Sequence, residues 1–204
     1  MTAIPNRSTF EALYAGQAPW DIGRPQKAFL AVADRIQGSV LDAGCGTGET
    51  SLYFAARGCK VTGIDFLEVV IQRARDKAVQ RGLAVTFLVK DALTLQDWGE
   101  RFDHVLDSGL FHVFSDDDRK RYVAGLATVL RTGGTLFLMC FSDEEPGTQG
   151  PRRVSKQDLR AAFADGWVIE SIEAVQIDVI ANPQEFAFSP GGPKGWFAVI
   201  RRGT

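Results

Sequence analysis

An α/β fold built on a doubly wound, mostly parallel sheet is predicted by three features of the sequence. Short apolar runs ending in an acid recur at 39–42, 60–65 and 102–107. Stretches with apolar residues at helical spacing separate them. A glycine-rich turn, Gly44-Cys45-Gly46-Thr47-Gly48, joins the first run to a helix-compatible segment that opens at Glu49. Strands alternating with helices in this way argue for parallel strands joined by crossovers, with helices on both faces.

Residues 1–23 set Phe10, Leu13, Tyr14, Trp20 and Ile22 among small residues, glycines and Pro19, which predicts a short helix followed by a loop. Arg24 and Pro25 then open a helix with apolar positions Phe29, Val32, Ala33 and Ile36, ended by Gly38. The first strand follows, and its glycine turn is a small-molecule cradle, because bare backbone at a helix N-terminus lets a ligand lie close. The glycines run G-x-G-x-G and not the G-x-G-x-x-G of a dinucleotide fingerprint. Asp42 and Glu49 flank the helix N-terminus; two carboxylates there repel a pyrophosphate and suit a ligand carrying a sulfonium and an ammonium.

On these residues the chain resembles the class I S-adenosylmethionine-dependent methyltransferases, whose first motif is similar to Leu41-Asp42-Ala43-Gly44-Cys45-Gly46-Thr47-Gly48. The resemblance implies that Asp42 and the backbone of Gly44, Gly46 and Gly48 hold the methionine portion of that cofactor. Ala18-Pro-Trp-Asp-Ile-Gly-Arg-Pro-Gln26 is similar to the segment before the first helix in thiopurine, thiol and halide methyltransferases. That likeness implies a cover over the cofactor at Trp20 and sets Tyr14 and Arg24 toward the methyl acceptor. For Tyr14, packing of an N-terminal helix on the sheet is the equal alternative.

The remaining elements follow in order. A helix at 50–57 is stopped by Gly58, and the second strand ends at Asp65, 21 residues after Gly44. A carboxylate at that strand end can take both ribose hydroxyls of an adenosine, with Phe66 on the adenine face; capping of the helix at 68–80 is the other role for Asp65. A third strand spans 83–89. The resemblance implies that Asp91 then accepts from the adenine amino group while the Ala92 amide faces a ring nitrogen; Asp91 otherwise caps the turn at 93–98.

The fourth strand ends at Asp107, and the 107–110 backbone is expected to position the cofactor's amino group. Ligands of open α/β sheets sit outside the carboxyl ends of the strands, which puts this stretch opposite the glycine turn. His112 stands where an acceptor approaches, either sharing its proton as a base or packing as a core residue. Tyr14, Phe111 and Phe114 favour a flat apolar acceptor. Enzymes that methylate nucleic-acid amino groups carry an acid or Asn, two prolines and an aromatic where this chain has Ser108-Gly109-Leu110, and no Pro-Cys pair is present.

Ser115-Asp-Asp-Asp118 reads as a helix cap with acids in the first turn and not as a metal cluster, because Tyr122, Val123, Leu126, Val129 and Leu130 repeat at helical spacing behind it. An unbroken apolar run at 133–141 predicts a buried strand. Gly150-Pro151 resembles a substrate wall of the thiopurine methyltransferase relatives, which places Arg152 or Arg153 against an anionic or phenolic acceptor or, equally, in solvent. Ser155 and Asp158 have capping-box spacing for a helix at 159–163. Strands at 168–179 and 195–200 are predicted to form an antiparallel closing hairpin.

Length and composition bound the rest. With 204 residues, 45% apolar and 24% charged, the chain suits one domain: 1–37 as lid and first helix, 38–142 as cofactor-binding core, 143–204 as substrate wall and hairpin. A net charge of -2 gives no general pull toward nucleic acid or an anionic membrane. Met1 to Arg7 holds no apolar signal core, and no run reaches the length of a membrane span. Three cysteines without a C-x-x-C pair suit buried thiols in a reducing cytoplasm.

The expectation is therefore a Rossmann-like seven-stranded sheet, mostly parallel with an antiparallel C-terminal hairpin. Its expected activity is methyl transfer from S-adenosylmethionine, leaving S-adenosylhomocysteine, to a small thiol, halide, phenol or hydroxyquinoline. No metal is expected, and oligomeric state is not legible. A non-catalytic S-adenosylmethionine-binding regulator and, further off, a nicotinamide oxidoreductase are the alternatives.

Overall fold

The computed structural model describes residues 7–180 and 188–203. Met1 to Asn6, part of the expected loop before the last strand (181–187) and Thr204 lie outside them. Seven strands form one sheet: β1 (Ser39–Ala43), β2 (Lys60–Asp65), β3 (Thr86–Val89), β4 (Phe102–Ser108), β5 (Leu130–Phe141), β6 (Trp167–Gln176) and β7 (Lys194–Arg202). Their order is β3-β2-β1-β4-β5-β7-β6. The first five are parallel neighbours, and β7 runs antiparallel to both β5 and β6. The expected hairpin forms, with its second strand inserted between β5 and the first.

Alternation along the strands builds two apolar layers. Leu41, Val105, Leu136, Leu138 and Ile200 meet Tyr122 and Leu126 of α5 (Asp116–Val129) and Leu159 of α6 (Lys156–Ala162). On the other face Val40, Leu106, Phe137 and Val199 meet Phe29 of α2 (Lys27–Ala31) and Phe54 of α3 (Glu49–Ala56). These central strands are therefore buried on both faces, as their continuous apolar runs require. α4 (Glu68–Arg81) packs beside α3 through Leu52, Ile71, Ala74 and Phe87.

The single helix expected after Pro25 is broken. α2 stops at Ala31, Val32 leaves helical geometry at φ -108 and ψ 11, and a 3-10 turn at Ala33–Arg35 continues. Phe29, Ala33 and Ile36 are all buried nonetheless, so the apolar spacing is met by two short pieces. β3 begins three residues later than the expected 83, because Leu83 donates its amide to Ala78 O in the C-terminal cap of α4. α1 (Arg7–Ala15) lies across the carboxyl end of β2: the Arg7 guanidinium donates to Phe66 O, and Phe10 packs edge-on against Phe66.

Candidate functional site

One large cavity of about 610 Å³ opens at the carboxyl ends of β1 to β5. It is lined by the glycine turn, Asp65 to Leu67, Asp91 to Leu93, Ser108 to Leu110, Met139 and Phe141, and is roofed by α1 and the loop through Trp20. That is the switch-point crevice of a doubly wound sheet, where β1 adjoins both β2 and β4.

The floor is built from the strand ends. Gly46 and Gly48 hold φ of 51 and 85, left-handed backbone that a side chain would strain. A Cβ at Gly46 would come within 2.7 Å of the Tyr14 hydroxyl, and one at Gly48 within 2.8 Å of the Phe87 ring. Gly44 and Gly46 line the cavity, whereas Gly48 is turned to the core between Phe87 and Ala74. Asp42 is buried, accepts from Ser51 Oγ at 2.6 Å, and is pushed up to about 6 by burial. Asp65 accepts from the amides of Gly46 at 3.2 Å and Leu67 at 3.0 Å, and burial raises its carboxyl above the usual range. The acid expected to meet a ribose thus also ties the ends of β1 and β2 together.

Glu49 does not present a free charge to a ligand. Its carboxylate is paired with Lys77 at 2.8 Å and with Arg81 at 2.9 Å, which hold it below the usual range against its burial. The repulsion expected from two acids at the helix N-terminus therefore rests on Asp42 alone. Thr47 extends the same network, accepting from Lys77 and donating to Asp21 of the roof loop at 2.7 Å.

On the adenosine side, Phe66, Asp91 and Ala92 line the cavity. Asp91 accepts from the Leu93 amide at 2.9 Å, so it caps the following 3-10 turn while remaining exposed. Trp20 donates from Nε1 to Tyr14 Oη at 2.8 Å, and both rings line the cavity.

Of the stretch 107–110, Asp107 is the residue that does not line the cavity. Its side chain is fully buried and accepts from the amides of Leu110 and Phe111 and from the Tyr122 hydroxyl, while burial pushes it up to about 7. It shapes the turn from behind, and Ser108, Gly109 and Leu110 line the cavity. Phe111 is likewise interior, stacked under the Arg119 guanidinium and against Phe163.

His112 reaches the cavity with its ring anchored. Nδ1 accepts from the Phe141 amide at 3.0 Å, and burial, reinforced by Arg119 and Arg153, pushes the imidazole down to about 3. The ring is neutral, and since Nδ1 is an acceptor its proton sits on Nε2.

Neither candidate arginine of the wall reaches it. Arg152 pairs with Asp116 at 2.6 Å, and Arg153 donates to the carbonyls of Glu145, Pro146, Gly147 and Pro151 over the Phe141 ring. Gly150 and Pro151 themselves line the cavity, and so does Arg24, held by Asp178 at 2.9 Å. Sequence reasoning missed Gln26 and the apolar Met139, Phe141, Ile177, Val179 and Phe188, all of which line the cavity. The carboxyl-end rule could have found Met139 and Phe141; nothing local marks the others. The three acids after Ser115 occupy the first turn of α5, with Ser115 Oγ accepting from the Asp118 amide.

Comparison with known proteins adds four findings. A sequence profile of the family described as "Methyltransferase domain" matches residues 40–134, the stretch that carries the glycine turn and Asp65. The chain is 33% identical over 181 residues to the 2-heptyl-1-hydroxyquinolin-4(1H)-one methyltransferase of Mycobacteroides abscessus, covering 82% of this chain and 80% of that protein. It is 27% identical to the probable thiol methyltransferase 2 of Arabidopsis thaliana over 84% of this chain and 77% of the relative. A structure solved in work on conversion of a disulfide bond into a thioacetal group during echinomycin biosynthesis superposes with a TM-score of 0.84 at 37% identity, covering 96% and 92% of the two chains.

Proposed function

The chain belongs to the class I S-adenosylmethionine-dependent methyltransferases, and from that premise we propose that it methylates a small, flat, largely apolar acceptor such as a phenol, hydroxyquinoline or thiol. The observation that carries this reading is the lining of this cavity, which includes Met139, Phe141, Phe114, Val113, Ile177 and Val179 with His112 among them. A volume of about 610 Å³ is within the usual range for small-molecule sites. Among the described residues its lining sets Arg7, Arg24 and Lys90 beside Asp21, Asp42, Glu49, Asp65, Asp91 and Asp118, and no helix is long and apolar enough to cross a membrane.

The donor set fits the cofactor. Asp42 is assigned to its ammonium, the Gly44 and Gly46 backbone to its methionine portion, and Asp65, which has a second lone pair on each oxygen, to the ribose hydroxyls. Phe66 is assigned to one adenine face, with Asp91 and the Ala92 amide on its edge and Trp20 as cover. When bound, S-adenosylmethionine supplies a methyl carbon already made electrophilic by its sulfonium. The protein then has to hold the acceptor in line and keep water out, and alignment of this kind contributes on the order of 7 to 11 kcal/mol. Tyr14 and Trp20 close the roof, and the reciprocal pairing of Gln26 with the Asp178 backbone, both bonds at 2.8 Å, fixes the wall that faces the acceptor.

Residues 1–204 are proposed to act as one domain, with 1–37 as lid and first helix, 38–142 as cofactor-binding core and 143–204 as substrate wall and closing hairpin. The three free thiols suit a reducing cytoplasm. The test is calorimetric titration with S-adenosylhomocysteine, with NADH as control. Saturable one-to-one binding of the first alone is expected; binding of NADH alone would refute the reading.

A further inference from the structure

The methyl acceptor has to be held by something other than shape, and His112 is a polar side chain set among the apolar residues that line the cavity. Its Nδ1 is committed to the Phe141 amide at 3.0 Å. His112 lines the cavity, and among the described residues its ring has no hydrogen-bond partner beyond the Phe141 amide, which leaves Nε2 uncommitted there. A neutral imidazole with an acceptor Nδ1 carries its proton on Nε2. Whatever sits against it must accept a hydrogen bond.

The charges around the ring favour an anion there. From α5, Arg119 is buried, donates to Phe111 O and keeps Nη2 without a partner. From the 143–155 loop, Arg153 lies over the Phe141 ring, whose own ring meets His112 edge-on at 5.3 Å. On β4, Asp107 is already taken up by two amides and the Tyr122 hydroxyl. No carboxylate pairs with His112 among the described residues. Asp118 lines the cavity too, but its carboxylate accepts from Ser115 Oγ at 2.6 Å and faces Arg121.

We propose that this enzyme takes its acceptor already ionised, as the anion of a weakly acidic aromatic O–H or S–H, with His112 Nε2–H as the donor that selects it. The inference rests on the methyltransferase reading of the same cavity. In the transfer the anion's lone pair forms the bond to the methyl carbon while the carbon–sulfur bond breaks toward sulfur. The acceptor leaves neutral, and its proton has gone to solvent before binding. A donor to the anion stabilises bound acceptor more than the transition state, where that charge is being lost, so His112 acts on affinity and selection more than on the chemical step.

The experiment uses a panel of nitrophenols and nitronaphthols, whose ionised forms absorb apart from the neutral ones, added to the protein loaded with S-adenosylhomocysteine. Bound probes are expected to show the ionised spectrum at least one pH unit below their solution pKa, and His112→Phe to abolish that shift. His112→Gln, which keeps an N–H at similar reach, should restore part of it. In turnover the KM of His112→Phe should rise roughly ten- to hundredfold, as for loss of a hydrogen bond to a charged group, with kcat changed far less. The wild-type kcat/KM should rise through each acceptor's own pKa and then stay level.

A rate that falls above the acceptor pKa, an inflection that stays fixed across the panel, or failure of the whole panel to bind would overturn the proposal. Failure of S-adenosylhomocysteine itself to bind would overturn the methyltransferase reading instead. Retained S-adenosylhomocysteine affinity in His112→Phe separates loss of the donor from loss of the fold.

Discussion

The amide of Gly46 donates to Oδ2 of Asp65 at 3.2 Å, so the acid at the end of β2 is bonded to the glycine turn that follows β1. One carboxylate thus serves the turn and, in the proposed complex, the ribose. Asp65→Ala is expected to weaken S-adenosylhomocysteine binding by about 1.5 to 3 kcal/mol, as for a lost charge-assisted hydrogen bond. Asp65→Asn, which keeps an oxygen for the Gly46 amide, should lose less. Titration calorimetry on both variants decides it, and unchanged affinity in a folded Asp65→Ala would remove Asp65 from the site.

Gly46 and Gly48 are two residues apart and answer to different neighbours. Alanine at Gly48 drives a Cβ to 2.8 Å from the Phe87 ring and 2.9 Å from the Ala74 Cβ at a φ of 85, so strain and overpacking fall together in the core. A loss of about 3 kcal/mol is expected. Alanine at Gly46 meets the Tyr14 hydroxyl at 2.7 Å, a side chain on α1 that can yield. Its stability loss should be nearer 1 kcal/mol, with the larger effect on cofactor affinity. Urea midpoints beside calorimetry test the ordering; a larger stability loss at Gly46 would refute it.

What the sequence shows and what it hides divide along the same line. β1, β2 and β4 are legible because each apolar run ends in an acid at the strand's carboxyl end, and Asp42 and Asp65 lie where that pattern puts them, on the cavity. Asp107 has the same pattern and turns inward, because Tyr122 of α5 and the Leu110 and Phe111 amides surround it. Glu49 looks free until α4 delivers Lys77 and Arg81 from 28 and 32 residues away. The insertion of β7 beside β5 is invisible locally, since a hairpin pattern does not say which of its strands joins the sheet. With it goes the wall at Ile177, Val179 and Phe188, whose place depends on that insertion.

The wall offers its own test. Gln26 is only 5% exposed, and its amide satisfies both the N–H and the C=O of Asp178. Gln26→Ala leaves both groups unpaired in a half-buried strip and should cost about 2 kcal/mol of stability. Because Ile177 and Val179 flank Asp178 on the cavity, acceptor KM should rise while S-adenosylhomocysteine affinity holds. Equal losses of both affinities would show that the pairing supports the whole mouth and not the acceptor wall.

The buried acids and His112 give stability opposing slopes with pH. Burial lifts Asp107 to about 7 despite its three donors, whereas in the unfolded chain an aspartate titrates near 3.9. Between those values the folded protein keeps a proton that the unfolded chain has lost, so this contribution is complete below about pH 4 and disappears as pH rises to about 7. Asp42, lifted to about 6, adds the same sign. His112 is pushed down to about 3, so its unfolded form charges below about 6.5 while the folded ring stays neutral, and stability is lost as pH falls through that window. Asp107→Asn removes only the first slope: its oxygen can still accept the Leu110 and Phe111 amides, and its amide can donate to Tyr122 Oη. Relative to the unsubstituted protein, its stability should therefore improve by about 2 kcal/mol between pH 5 and pH 8, read from urea midpoints at both. A difference that does not change with pH would mean that Asp107 is ionised in the fold at pH 5, and that its amide and hydroxyl donors outweigh its burial.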